Sequence, residues 1–158
     1  MHIATNSSRI NISEENSVKS IANLFAENLN HTAVFLLYGE VGVGKTTFVK
    51  HFINCLQSIN KEQTTEVPSP TFNIVNEYGI NNKIYQHYDL YRVQHKNELN
   101  NLGIFEQNRA TKLIEWPELL KSVEFEILYK LKFEYDNDMN NRFLNISSNN
   151  SISFLDEF

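Results

Sequence analysis

Residues 39–46 read Gly39-Glu40-Val41-Gly42-Val43-Gly44-Lys45-Thr46. This stretch fits the pattern G-x-x-x-x-G-K-[ST] of a P-loop, whose backbone N–H groups cradle the phosphates of a nucleotide. A continuous apolar run at 33–38 precedes it, as is typical of a strand buried on both faces. Apolar side chains at helical spacing follow it over 47–57. The order of strand, glycine loop and helix predicts a phosphate-binding site at residues 39–46.

The fold class follows from the elements around this loop. The loop's strand is predicted at the centre of a sheet with helices on both faces, because it is apolar on both sides. Residues 72–78 and 83–90 are predicted to form a hairpin around 79–82, and 125–135 and 142–147 a second one around 136–141. The prediction is therefore an α/β, P-loop NTPase-like three-layer sandwich whose mixed central sheet includes antiparallel hairpin strands.

The remaining elements are short. A strand at 9–12 is followed by a helix that Ser13 is predicted to cap and that ends near Asn30. A helical segment is expected at 97–102, a buried strand at 112–115 and a turn or one helical turn at 117–120. Residues 1–148 are predicted to form a single domain, and the polar tail at 149–158 is expected to fray.

Composition limits the classes of function. The chain has 158 residues, of which 41% are hydrophobic, and a formal net charge of -5. The acidic balance argues against a broad non-specific nucleic-acid surface. Cys55 is the single cysteine, so an intramolecular disulfide is excluded. No apolar run has the length of a membrane span or a signal peptide, and we therefore expect a cytoplasmic protein without a membrane contact.

The loop itself supplies the first candidate site residues. Lys45 is predicted to reach the β- and γ-phosphates, and the Thr46 hydroxyl is predicted to bind Mg²⁺. The predicted nucleotide contacts are Gly39, Glu40, Val41, Gly42, Val43, Gly44, Lys45, Thr46 and Thr47. ATP is favoured over GTP because residues 82–85, Asn-Lys-Ile-Tyr, fail the guanine-reading pattern N/T-K-x-D at its last position.

Two acids are candidates for the metal and for catalysis. Asp89 and Glu115 each end a predicted strand, and ligands of open α/β sheets bind at the carboxyl ends of strands. The alternative for each is a helix cap or a salt-bridge partner. Thr71 lies in a proline-stiffened segment and is either a sensor of the γ-phosphate or an ordinary turn residue.

For three further residues the sequence leaves two interpretations open. His87 shares a strand face with Asp89, yet such a histidine is more often a packed residue hydrogen-bonded to a neighbour. Arg92 is either a neutraliser of phosphate charge or a surface residue. Trp116 either lines the nucleotide site or a partner surface, or packs in the core.

Five blocks of the sequence together resemble the bacterial TsaE family. They are GEVGVGKTTFVK at 39–50, SPTFNIVNEY at 69–78, HYDLYR at 87–92, ELNNLG at 98–103 and LIEWPE at 113–118. They follow the family's order and spacing and cover most of the chain, and residues 142–146 resemble the family's last strand. That family is the ATPase of tRNA N6-threonylcarbamoyladenosine biosynthesis.

The resemblance implies a function and a set of roles. It implies slow, Mg²⁺-dependent ATP hydrolysis alongside the partners TsaB and TsaD, which modify adenosine 37 of tRNA, so tRNA is engaged only indirectly. It implies that Lys45 and Thr46 bind phosphate and Mg²⁺, and that Thr71 faces the γ-phosphate. It assigns Asp89 and Glu115 to the metal and to catalysis, and places Trp116 near the nucleotide or a partner. Val43 and Tyr88 depart mildly from the family pattern without removing a chemical group.

Two other functions remain open on the sequence alone. One is a P-loop kinase that phosphorylates a small molecule, although no arginine-rich lid segment is found. The other is a nucleotide-gated interaction module without useful hydrolysis.

Overall fold

The computed structural model describes residues 4–106, 109–156 and 158. The strands are β1 (Ala4–Asn11), β2 (Val34–Tyr38), β3 (Val75–Ile80), β4 (Lys83–Asp89), β5 (Thr111–Glu115), β6 (Leu128–Tyr135) and β7 (Arg142–Ser148). The α-helices are α1 (Glu15–Asn28) and α2 (Lys45–Ile59), and three 3-10 helices span Lys96–Leu102, Pro117–Leu120 and Ser153–Leu155. All the strands belong to one seven-stranded sheet with the order β1-β7-β6-β2-β5-β4-β3.

Strand β2 lies at the centre of the sheet, as its apolar run predicts. It pairs in parallel with β5 on one side and with β6 on the other, and β4 pairs in parallel with β5. Its inner residues Phe35, Leu36 and Leu37 are all buried. Because successive side chains of a strand alternate between faces, such a run requires a cover on both faces of the sheet.

The hairpins make the sheet mixed. β3 and β4 pair antiparallel across a two-residue turn, in which Asn81 and Asn82 have φ angles of 47° and 61°. Asparagine tolerates this left-handed region better than most residues, which suits it to tight hairpins. β6 and β7 form the second antiparallel hairpin, and β1 pairs antiparallel with β7. Strand β3 begins at Val75 rather than at the predicted residue 72, since a turn closed by the Ile74 N–H and the Pro70 carbonyl precedes it.

The two faces of the sheet are covered differently. α1 and α2 pack together on one face over an aromatic cluster, where the rings of Phe25 and Phe35 lie 5.4 Å apart. On the other face, the 3-10 helices 96–102 and 117–120 bury Leu99 and Leu120 against Leu36 of β2. The α/β class with a mixed sheet is confirmed, and 3-10 helices and loops form the layer on the second face. None of the helices in the described ranges is long and apolar enough to cross a membrane.

The C-terminal tail corrects one prediction, because residues 149–156 pack instead of fraying. Ile152 and Leu155 are buried in the same cluster as α1 and α2, and the ring of Phe154 lies 5.2 Å from that of Phe25. Residues 153–155 form a 3-10 helix. Three residues per 3-10 turn place Ile152 and Leu155 on one side, which lets a segment of polar composition bury an apolar edge.

The start of α1 corrects another prediction. The N-cap residue is Glu14 and it makes no side-chain capping bond, so Ser13 does not cap the helix. The Ser13 hydroxyl instead accepts a hydrogen bond of 3.0 Å from the backbone N–H of Arg142. Its oxygen therefore joins the end of β1 to the start of β7 rather than stabilising the helix terminus.

Candidate functional site

The P-loop connects the central strand to α2 as the sequence predicts. β2 ends at Tyr38, the glycine loop follows, and α2 begins at Lys45 with Gly44 as its N-cap residue. Gly44 supplies no side chain to cap the helix, so the first backbone N–H groups of α2 lack a side-chain acceptor there. Such a helix terminus favours an anion by both its hydrogen-bond donors and its dipole.

A cleft of about 390 Å³ opens in front of this helix terminus. It combines loop residues, the start of α2 and the ends of β4 and β5, which are the elements that the sequence predicts to meet. The lining residues are Glu40, Val41, Gly42, Gly44, Lys45, Thr46, Thr47, Ser69, Thr71, Asp89, Tyr91, Glu115 and Trp116.

Lys45 folds back over its own loop. Its ammonium group donates to the carbonyl oxygens of Gly39 and Glu40, the latter at 3.0 Å, and lies 4.0 Å from the centre of the Trp116 ring. Burial lowers the pKa of Lys45, and the nearby carboxylates, first Glu115 and then Asp89, act in the opposite direction. The ammonium group of Lys45 thus lies close to carboxylates. A phosphate bound beside it would further favour its protonated form.

The two candidate acids are neighbours. Asp89 and Glu115 are Cα partners in the parallel pairing of β4 with β5, so both carboxylates leave the sheet at the same edge. Their exposed fractions are only 5% and 3%. Burying two like charges side by side is unfavourable unless hydrogen bonds or a cation compensate.

Glu115 is held by two donors on one oxygen. Thr46 donates its hydroxyl to Glu115 Oε1 at 2.8 Å, and His87 Nε2 lies 2.8 Å from the same atom. The contact joins the first turn of α2 to the end of β5 and the middle of β4. The 2.8 Å contact with His87 leaves the salt-bridge alternative for Glu115 open.

Asp89 has a different set of partners. Ser69 donates to its Oδ2 at 3.0 Å, and Thr71 does so at 3.4 Å. The backbone N–H of Tyr91 donates to Oδ1 at 3.0 Å. Asp89 therefore ties the proline-stiffened segment to the sheet, and its bond to Tyr91 also shapes the turn that follows β4.

Most predicted site residues meet in the cleft, but two P-loop residues do not line it. Val43 is 1% exposed and packs into the core beneath the loop. Gly39 is also absent from the cleft lining, and its carbonyl oxygen accepts a hydrogen bond from Lys45. Arg92 lies outside the cleft lining, and its guanidinium group stacks over the exposed ring of Phe72 at 5.2 Å.

Trp116 lines the cleft and also packs against the second core cluster. Its φ of 55° is unusual for a large side chain, and its ring lies 4.8 Å from that of Tyr91. This left-handed conformation costs free energy in a large residue and persists because the surrounding packing holds it. The Trp116 ring lies 4.0 Å from the ammonium group of Lys45.

Two residues of the cleft were not predicted from the sequence, and the role of a third was left open. Ser69 and Tyr91 line the cleft, and His87 reaches Glu115 from beneath it. Ser69 had a signal, because it stands two residues before Thr71 in the same stiff segment. No local sequence pattern indicated Tyr91, since its place in the site depends on a ring contact with Trp116.

The sequence is similar to known proteins over most of its length. The family model described as "Threonylcarbamoyl adenosine biosynthesis protein TsaE" matches residues 12–144. A tRNA threonylcarbamoyladenosine biosynthesis protein TsaE of Rickettsia felis is 35% identical over 152 residues, covering 93% of this chain and 84% of the relative. The Haemophilus influenzae protein of that name is 32% identical over 137 residues, covering 82% and 84%.

A solved structure shares the fold. The crystal structure of YdiB from Bacillus subtilis superimposes with a TM-score of 0.70 at 21% sequence identity. The match covers 99% of this chain and 95% of the other.

Proposed function

The chain belongs to the TsaE family of threonylcarbamoyl adenosine biosynthesis proteins, and from this premise we propose that it is the Mg²⁺-dependent ATPase subunit of that tRNA modification. It acts with TsaB and TsaD, and it engages tRNA only through that complex. The reaction is hydrolysis of the γ-phosphate rather than transfer of the threonylcarbamoyl group. We place it in the cytoplasm, where it meets its partners.

One observation carries the proposal. A P-loop threonine and a strand-end glutamate, Thr46 and Glu115, lie in contact at 2.8 Å in the cleft in front of a helix N-terminus. Phosphoryl transfer needs phosphate binding, a metal held by a loop hydroxyl and an acid, and a residue that orients the nucleophile. The cleft offers a candidate for each of these requirements.

The roles follow from position. Lys45 and the N–H groups of the loop bind the β- and γ-phosphates. Trp116, whose ring lies 4.0 Å from the Lys45 ammonium group, contacts the nucleotide beside them. Thr71 lies beside Asp89 and faces the γ-phosphate. Such a site accelerates the reaction mainly by stabilising the negative charge that develops on the phosphate oxygens. Each of these assignments supports ATP hydrolysis and can be tested by substituting the residue.

The donor set fits Mg²⁺. The Thr46 hydroxyl and the carboxylates of Asp89 and Glu115 are oxygen ligands, which Mg²⁺ prefers. No group of three or more His, Cys, Asp or Glu residues within the described ranges could hold a metal. Mg²⁺ is usually bound by one or two carboxylates together with substrate phosphates and water. When bound, the ion would neutralise charge on the phosphates.

Phosphate release from ATP, measured with and without purified TsaB and TsaD, tests the proposal. We expect slow release by the chain alone, dependence on Mg²⁺, stimulation by the partner pair, and no phosphorylated small molecule among the products. ADP formation that requires a metabolite acceptor would instead identify a kinase. Nucleotide binding without any release, even with the partners present, would identify an interaction module.

A further inference from the structure

His87 is a buried polar side chain that the proposed roles leave unexplained. It lies on β4, its side chain is fully buried, and it shares the face of the strand that carries Tyr85 and Asp89. That face packs towards α2, since the Tyr85 ring lies 6.1 Å from Phe52 of that helix. His87 therefore lies under the cleft, two residues before Asp89 on the same face of β4.

The hydrogen bonds of His87 define its tautomer. Nε2 lies 2.8 Å from Glu115 Oε1, and Nδ1 is buried with no partner among the described residues. An ionised carboxylate can only accept, so Nε2 carries the hydrogen. A second hydrogen on Nδ1 would bury an unpaired donor, which costs free energy. These contacts favour a hydrogen on Nε2, directed at Glu115.

The same bonds orient Glu115. Thr46 and His87 both use Oε1, and Oε2 accepts no hydrogen bond from the described residues. Under the proposed function the Thr46 oxygen is needed at the metal, which leaves His87 as the donor that keeps the carboxylate in place. Partners behind a ligand or catalytic carboxylate commonly fix its orientation in this way.

We propose that His87 is a positioning residue, which holds Glu115 by its Nε2–H so that the free oxygen Oε2 faces the cleft. The inference rests on the proposed ATPase function. It differs from a purely structural role, in which His87 would only fill space between the sheet and α2. The two roles predict different responses to substitutions that keep or remove the donor.

The test measures kcat and KM for ATP in the full chain with saturating Mg²⁺ and the partner pair. His87→Leu removes the donor and keeps a similar volume. His87→Gln places an amide N–H close to the Nε2 position, whereas His87→Asn places it about one bond short. His51→Leu is the matched control histidine substitution, because His51 of α2 contacts Glu15 of α1 at 2.8 Å and does not line the cleft.

We expect His87→Leu and His87→Asn to lower kcat about 10- to 100-fold with KM for ATP changed less than about 3-fold. His87→Gln should recover most of kcat, and His51→Leu should leave both constants unchanged. Equal losses in the Gln, Asn and Leu variants, or losses that appear in KM alone, would overturn the positioning role.

A second measurement does not depend on turnover or on a variant that folds. The ¹⁵N spectrum of the histidine rings in the parent protein reports the tautomer, and we expect a protonated Nε2 and an unprotonated Nδ1 for His87. A protonated Nδ1 with a bare Nε2 would overturn the inference. A parent protein without turnover would refute the ATPase proposal, and the tautomer would then decide alone whether His87 holds Glu115.

Discussion

Thr46 and Glu115 are hydrogen-bonded at 2.8 Å although 69 positions separate them in the chain. The contact joins the P-loop helix to the strand next to β2. Because β2 and β5 pair in parallel, both elements present their functional ends at the same edge of the sheet. The cleft is therefore a consequence of topology, and its residues can be tested one at a time.

Lys45→Ala should abolish ATP turnover, with a loss of at least about 10²-fold, because the ammonium group serves the phosphates. The fold should persist, since the hydrogen bonds of the Lys45 ammonium group go to carbonyl oxygens of its own loop and not to another core element. Phosphate release and thermal unfolding measure the two effects. Turnover near the parent rate would refute the P-loop assignment.

Asp89→Ala and Glu115→Ala should each lower turnover by at least about 10²-fold, while ATP still binds through the loop. Asp89→Ala should also lower the free energy of unfolding by about 1 kcal/mol, because the N–H of Tyr91 loses its acceptor. Single-turnover hydrolysis, calorimetric ATP binding and urea denaturation separate these effects. The exposed acid of β3 provides a control, Glu77→Ala, which should behave as the parent. Normal turnover in either variant would remove that acid from the proposed site.

The substitutions Ser69→Ala and Thr71→Val distinguish two roles of these hydroxyl groups. One role is to hold Asp89 in place, and the other is to contact the nucleotide. Both hydroxyls reach Asp89 Oδ2, Ser69 at 3.0 Å and Thr71 at 3.4 Å, so Ser69 makes the better bond. If Thr71 faces the γ-phosphate, Thr71→Val should weaken ATP binding about tenfold more than ADP binding, the value of roughly one hydrogen bond. Ser69→Ala should affect both nucleotides equally. Calorimetric titration gives the two ratios, and an equal effect of Thr71→Val on ATP and ADP would contradict its assignment.

Gly39→Ala should distort the P-loop. Its φ is 144°, and an added Cβ would lie 2.7 Å from the carbonyl oxygen of Phe133 and 2.8 Å from Val43 Cγ1. Overpacking of this kind costs about 1–3 kcal/mol of stability. We expect a lower melting temperature together with weak ATP binding.

Gly79→Ala is the matched control for that substitution. No atom lies within 4 Å of the Cβ it would add, so stability should change by less than about 0.5 kcal/mol and ATP binding should be unaffected. Equal effects of the two substitutions would show that the close contact at Gly39 has no consequence.

Leu155→Ala tests the packed tail. Leu155 is 1% exposed in the cluster beneath α1, and truncating a buried leucine costs about 2–5 kcal/mol. Phe158→Ala, at a residue that is 47% exposed, should change stability by less than about 0.5 kcal/mol. Urea denaturation of both variants measures the difference. A Leu155→Ala variant as stable as the parent would mean that the tail contributes nothing to the core.

The sequence by itself determined the features that depend on neighbouring residues. The glycines, Lys45 and Thr46 form a contiguous motif, and the apolar run before them identifies β2 as a central strand. Local patterns also located both hairpins and the strand ends at Asp89 and Glu115. The family could be recognised because its blocks stand at characteristic spacings along the chain.

Only the tertiary structure decided which side chains meet. The convergence of Ser69 on Asp89, and of His87 and Thr46 on Glu115, depends on parallel register and on the path of the segment before β3. The tail and Ser13 were mispredicted for the same reason, because their partners lie far away in sequence, at α1 and at the start of β7. The type of a residue and the local periodicity limit which contacts its side chain can make. Packing against segments that are distant in sequence decides which of those contacts form.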